Sequence, residues 1–127
     1  MIYGIGVDIV EIKRITKLYD KFADKFVRKL LSDLELQRFS QLESNLKKNS
    51  FLAKRYAAKE ALAKALGTGF RGDLTLNKIS VINNDIGKPE ILLAKELSNN
   101  LPDELKFFIS LSDEKQYAIA YVIIENN

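Results

Sequence analysis

Apolar and polar positions alternate with a period of two at the start of the chain, where Tyr3, Ile5, Val7 and Ile9 are separated by Gly4, Gly6 and Asp8. The pattern predicts a strand with one apolar face and an opposite face bare of side chains until Asp8. Glycine weakens a strand interior, so the bare face points to a close approach, by a ligand or metal beside Asp8 or by a tightly packed helix. The period then lengthens. Ile12, Ile15, Leu18, Tyr19, Phe22, Phe26 and Leu30 recur every three or four residues, which predicts one amphipathic helix over residues 11–31. Ser32 and Glu35 have capping-box spacing and start a short helix through Leu42; capping is sufficient to explain both. Residues 43–50 are polar and predict a surface connection.

The stretch 51–69, FLAKRYAAKEALAKALGTG, predicts a second long helix, with Ser50 as its N-cap and Gly67 and Gly69 ending it around Thr68. Arg55, Lys59, Tyr56, Glu60 and Lys64 fall in adjacent polar rows, while Ala58, Leu62, Ala65 and Leu66 fall mostly to the other side. Charge rows on a helix are usually a solvated face with i,i+4 ion pairs, and a site is the alternative reading. Strands follow over residues 79–83 and 90–94, joined by the turn cluster from Asn83 to Pro89 in which Gly87 supplies positive φ. A short helix runs to Asn100. Phe107, Ile109 and Leu111 then alternate with Phe108, Ser110 and Ser112, and a turn from Asp113 to Gln116 returns the chain along residues 117–124. Helices early and hairpins late predict an α+β fold, an antiparallel sheet of hairpins with helices packed on one face.

Composition narrows the chemistry. A chain of 127 residues suits a single domain over residues 1–127, and 46% hydrophobic with 29% charged residues is a globular mix. There is no cysteine and no histidine, which excludes thiolate chemistry, a histidine base and the common zinc geometries, and leaves carboxylates and lysines. No apolar run approaches bilayer-spanning length and no signal-peptide layout opens the chain, so a cytoplasmic protein without a membrane partner is expected. A net charge of +3 favours an anionic partner. The first helix has a basic outer face of Lys13, Arg14, Lys17, Lys21, Lys25, Arg28 and Lys29, open to reading as a solvated face or a docking surface.

The opening IGVDIVEIKRI, the block RYAAKEALAKALGTG, the GKP turn and the closing ISLS and YAIAYV hairpin resemble, in order over nearly the whole chain, the holo-acyl-carrier-protein synthases, the small bacterial 4′-phosphopantetheinyl transferases. The paired D-x-x-E and K-E-x-x-x-K-A-x-G blocks are far more specific together than either is alone. The resemblance implies the 4′-phosphopantetheinyl transferase fold and a magnesium-dependent reaction in fatty acid biosynthesis. In it, a serine of apo acyl carrier protein takes phosphopantetheine from coenzyme A, and adenosine 3′,5′-bisphosphate leaves.

It further implies Asp8 and Glu60 as metal ligands, Lys64 as a clamp on developing charge and Glu60 as the proton acceptor. Arg55, Lys59, Lys64, Gly67, Thr68, Gly69 and Ser112 would bind the cofactor, and Arg14, Lys25 and Phe26 the acyl carrier protein. Members of the family are homotrimers with coenzyme A between subunits; the late hairpins are apolar on both faces, which burial under their own helices explains equally well. One position departs from the pattern. The family commonly closes this hairpin with S-x-S-H, and here Asp113 follows Ser112, so a phosphate would be repelled unless the carboxylate turned outward, joined a metal's outer shell or paired with a lysine. An RNA-binding domain and a non-catalytic interaction module are the rival classes. The first lacks an aromatic pair on a strand face, so no nucleic acid partner is expected.

Overall fold

A computed structural model of the chain describes residues 1–69 and 74–127. In chain order it has β1 (Ile2–Glu11), α1 (Ile12–Phe22), α2 (Asp24–Leu30), α3 (Asp33–Ser40), α4 (Asn45–Leu66), a 3-10 turn (Leu76–Lys78), β2 (Ile79–Asn83), β3 (Pro89–Leu93), α5 (Lys95–Ser98), β4 (Leu105–Asp113) and β5 (Tyr117–Asn126). β1, β5 and β4 form one antiparallel sheet in that spatial order, and β2 and β3 form a separate hairpin. The α+β expectation holds, with α4 laid across one face of the larger sheet. Residues 70–73, between Gly69 and the strand predicted over residues 79–83, lie outside the described residues.

The glycines explain how α4 comes so close. A Cβ added at Gly4 would lie 1.9 Å from the carbonyl oxygen of Ala65, and one at Gly6 would lie 2.0 Å from that of Ala61. Of the two approaches that the bare face allowed, a packed helix is the one observed at these glycines. The burial sense of β1 is therefore the reverse of an ordinary half-buried strand. Val10 and Gly6 are buried on the helix side, whereas Tyr3, Ile5, Val7 and Ile9 are exposed on the other. The outer face continues across the sheet, because Val7 pairs with Tyr121 and Ile9 with Ile119, both exposed, while Ala118, Ala120, Val122 and Ile124 of β5 turn inward.

Two predicted boundaries move. The single helix over residues 11–31 is two, broken at Ala23, whose φ of 47° takes it out of the helix, and the apolar stripe resumes beyond the break. α4 starts at Asn45 with Ser44 as its cap, the Ser44 hydroxyl accepting from the Lys47 amide at 3.1 Å, so the predicted polar connection over residues 43–50 is mostly the helix's first turns and Ser50 lies inside it. The capping box at Ser32 forms as predicted, with the Glu35 amide donating to Ser32 Oγ at 3.3 Å and the Ser32 amide to Glu35 Oε1 at 2.9 Å. Among the described residues, no helix is long and apolar enough to cross a membrane.

Candidate active site

The seam between β1 and α4 brings the predicted acids and one lysine together. Asp8 lies on the helix side of β1, past the two glycines, and Lys64 Nζ donates to its Oδ1 at 3.2 Å and to the Val7 carbonyl at 3.0 Å. Glu60 lies one turn before Lys64 on the same helix. Its carboxyl is pushed above the ordinary glutamate range, first by partial burial and then by the charge of Asp8, against the opposing pull of Lys64, a hydrogen bond from Tyr56 and the charge of Arg14. Arg14 reaches this edge from α1, with Nη2 3.4 Å from the Tyr56 hydroxyl and its guanidinium carbon 5.5 Å from the ring centre.

Two carboxylates that repel each other across a seam, with a lysine alongside, suit a hard divalent cation between them. Among the described residues no group of three or more acids, cysteines or histidines gathers to enclose a metal. A cation held by Asp8 and Glu60 would therefore keep open positions for phosphate oxygens and water, as magnesium ordinarily does. Asp8 to Asn or Glu60 to Gln substitution would remove half of that donor set.

Lys59 departs from its expected role. Its side chain is 0% exposed and its ammonium has three acceptors, the Leu30 carbonyl at 2.5 Å, Glu35 Oε1 at 2.6 Å and the Leu76 carbonyl at 3.0 Å. Three acceptors use all three ammonium protons, so Lys59 is a core ion and not a contact for a cofactor. Burial draws its pKa down to about 8 against the pull of Glu35, and it stays charged at neutral pH. Glu35, read from the sequence as a cap alone, also accepts the Val81 amide at 2.9 Å, and Ser80 donates to Ser32 beside it at 2.6 Å. The signal was present in the chain: Leu52, Lys59, Leu62 and Leu66 share one helix face, so Lys59 interrupts an apolar stripe.

The other predicted cofactor residues are scattered. Arg55 is buried, its Nε donating to the Val81 carbonyl at 3.2 Å and its guanidinium carbon 4.0 Å above the Phe51 ring. Burial lowers its pKa to about 10, with Glu35 opposing and Arg38 reinforcing the shift. It faces a separate cleft of about 590 Å³ along the N-terminal half of α4, which Arg38, Lys47, Lys54, Asp113 and Lys115 also line. Gly67 takes φ 78° and its amide caps α4 on the Ala63 and Lys64 carbonyls, leaving Thr68 and Gly69 exposed beyond the helix end. Ser112 pairs with Ile119 on the outer face of the sheet, so one chain does not bring it to Asp8. Of the openings left to Asp113, pairing with a lysine is the one seen: its Oδ1 lies 3.8 Å from Lys54 Nζ, and Ser50 Oγ donates to its Oδ2 at 2.6 Å. Lys25 is exposed and Phe26 half-buried on α2.

Known proteins match over the full length. The family model of the 4′-phosphopantetheinyl transferase superfamily matches residues 4–122. The holo-acyl-carrier-protein synthase of Dechloromonas aromatica is 45% identical over 127 residues, covering 99% of each chain. That of Nitrosospira multiformis is 44% identical, covering 98% of this chain and 99% of the relative. Among solved structures, the holo-acyl-carrier-protein synthase of Neisseria meningitidis superposes with a TM-score of 0.89 at 40% identity, covering 99% of this chain and 100% of the other. The Bacillus anthracis enzyme, solved in complex with CoA (3′,5′-ADP), gives 0.84 at 35% identity, covering 100% of this chain and 99% of the other. By sequence and by fold, the chain belongs to the 4′-phosphopantetheinyl transferase superfamily, among its holo-acyl-carrier-protein synthases.

Proposed function

We propose that this protein transfers the 4′-phosphopantetheine group from coenzyme A to a serine of apo acyl carrier protein, with magnesium as its cation, in the cytoplasm and in support of fatty acid biosynthesis. The observation that carries the reading is the meeting of Asp8, Glu60 and Lys64 at the β1–α4 seam. Magnesium bound there would neutralise the diphosphate and the charge that builds on it during transfer. Asp8 and Glu60 would hold that ion, and Lys64 would face the departing phosphate.

In the transfer, the serine oxygen forms a bond to the β-phosphorus and the bond from that phosphorus to the bridging oxygen breaks. Adenosine 3′,5′-bisphosphate leaves with the bridging oxygen and its electron pair. The proton of the serine goes to Glu60, directly or through one water. The remaining work is positioning and charge neutralisation, as in other phosphoryl transfers. The cleft beside Arg55 supplies a cationic surface for an anionic end of the coenzyme. Thr68 and Gly69, past the helix end, are available to the phosphates; Lys59 is not.

Arg14, Lys25 and Phe26 form the proposed docking surface for the carrier, within the exposed basic row that runs along α1 and α2. Opposite charge there would speed encounter with an acidic carrier. The chain acts as one domain over residues 1–127, supported by a single cluster of buried apolar residues that spans β1 to β5. The apolar outer sheet face supports a homotrimer, and Ser112 on that face would serve a neighbouring copy's site.

The test incubates the protein with apo acyl carrier protein and coenzyme A, with magnesium or with a chelator, and weighs the carrier. One added phosphopantetheine with magnesium and none with chelator is expected. An unchanged carrier under both conditions would defeat the reading, and a melting temperature raised by RNA but not by coenzyme A would favour the nucleic-acid class instead.

A further inference from the structure

Asp113 has a place in the cleft that neither the carboxylate pair nor the docking face explains. The cleft is lined by five basic side chains, Arg38, Lys47, Lys54, Arg55 and Lys115, against two acidic ones, Asp113 and Glu114. Glu114 is turned into its own loop, where Oε1 accepts the amides of Gln116 at 2.8 Å and Tyr117 at 2.7 Å. Asp113 instead crosses to α4. Its Oδ2 accepts from Ser50 at 2.6 Å and its Oδ1 faces Lys54 at 3.8 Å. Ser50 is an interior residue of α4 and has no capping duty there, because Ser44 caps the helix. The cleft therefore contains its own anion, fixed by a hydroxyl and opposed to one of the lysines that would meet an incoming phosphate.

We infer that Asp113 is a specificity-determining residue that acts as a built-in counter-anion of the cleft, weakening its hold on the phosphates of the coenzyme and of the nucleotide product. The inference rests on the proposed reading that this cleft takes an anionic end of coenzyme A. A carboxylate held in place raises the free energy of a second anion beside it, and it competes for Lys54. Product carrying two phosphate groups would leave faster than from a cleft without that charge.

Asp113→Asn keeps an oxygen for the Ser50 hydroxyl and removes the charge. Affinities of wild type and variant for adenosine 3′,5′-bisphosphate and for uncharged adenosine would be measured by calorimetry at low and high salt. The variant is expected to bind the bisphosphate about three- to tenfold more tightly at low salt, less so at high salt, with adenosine unchanged. Equal or weaker binding of the bisphosphate by Asp113→Asn would overturn the inference while leaving the transferase reading intact. An equal gain for adenosine would also overturn it, because a purely structural change would then be responsible. No binding of bisphosphate or coenzyme A to wild type would remove the cleft reading and the inference with it.

Discussion

Glu60 holds its proton more tightly in the folded chain than an ordinary glutamate does, because partial burial and the nearby charge of Asp8 both oppose ionisation. As pH rises through the ordinary glutamate range toward the raised folded value, the unfolded chain gives up this proton first, and the folded state loses stability; above that window the loss is constant. Glu60→Gln removes it. In chelator-treated buffer at about pH 7 the variant is expected to melt above wild type, with the difference closing toward about pH 4. A variant melting below wild type at neutral pH would mean that the Asp8–Glu60 repulsion is not felt. Lys59 is the opposite case, an ion whose partners are all inside. Lys59→Met leaves Glu35 buried without its cation and is expected to lower unfolding free energy by about 3–5 kcal/mol in urea titrations, with Glu35→Gln in the same chain recovering part of that loss. The two residues also mark what could be read in advance. Asp8, Glu60 and Lys64 were legible because their spacing belongs to a motif. The burial of Lys59 is harder to see, because its i,i+4 spacing from Arg55 draws it into a polar row even though Leu52, Leu62 and Leu66 share its face.

α4 was legible in composition and in its end at Gly67, and less so in its start. Asn45 and Asn49 are weak helix formers, but a capped first turn extended by the rest of a long helix does not need strong ones. The break at Ala23 left no mark, since the stripe from Phe22 to Phe26 keeps helical spacing across it. The burial sense of β1 was hidden for a related reason: alternation tells which residues share a face, not which face is inside, and here the side without side chains is the packed one. The glycines thus set the distance of the helix from the strand. Gly6→Ala would place a methyl carbon against the Ala61 carbonyl, so α4 must move away. A loss of about 1–3 kcal/mol or more is expected on chemical unfolding, along with weaker coenzyme A binding, as Lys64 is carried away from Asp8. Wild-type stability in that variant would show that the seam can relax at no expense.

Across the whole molecule the charged and apolar surfaces separate. Basic residues run along α1 and α2, while the outer face of the β1–β5–β4 sheet exposes Tyr3, Ile5, Val7, Ile9, Phe108, Ile119 and Tyr121. An apolar sheet face of this extent is unusual for a lone chain in water. Light scattering is expected to give three times the chain mass, and a value equal to one chain would remove the trimer from the account. The sequence left open whether the chain's own helices covered this face; the fold answers that they lie on the other side.

The proposed roles of both surfaces depend on the seam between β1 and α4, which carries the proposed chemistry. Purified Asp8→Asn and Glu60→Gln, each verified as folded by circular dichroism, would be given apo acyl carrier protein, coenzyme A and magnesium, and the carrier weighed over time. The account predicts that wild type adds one phosphopantetheine per carrier and that each variant adds none. Turnover at the wild-type rate by either folded variant would contradict it.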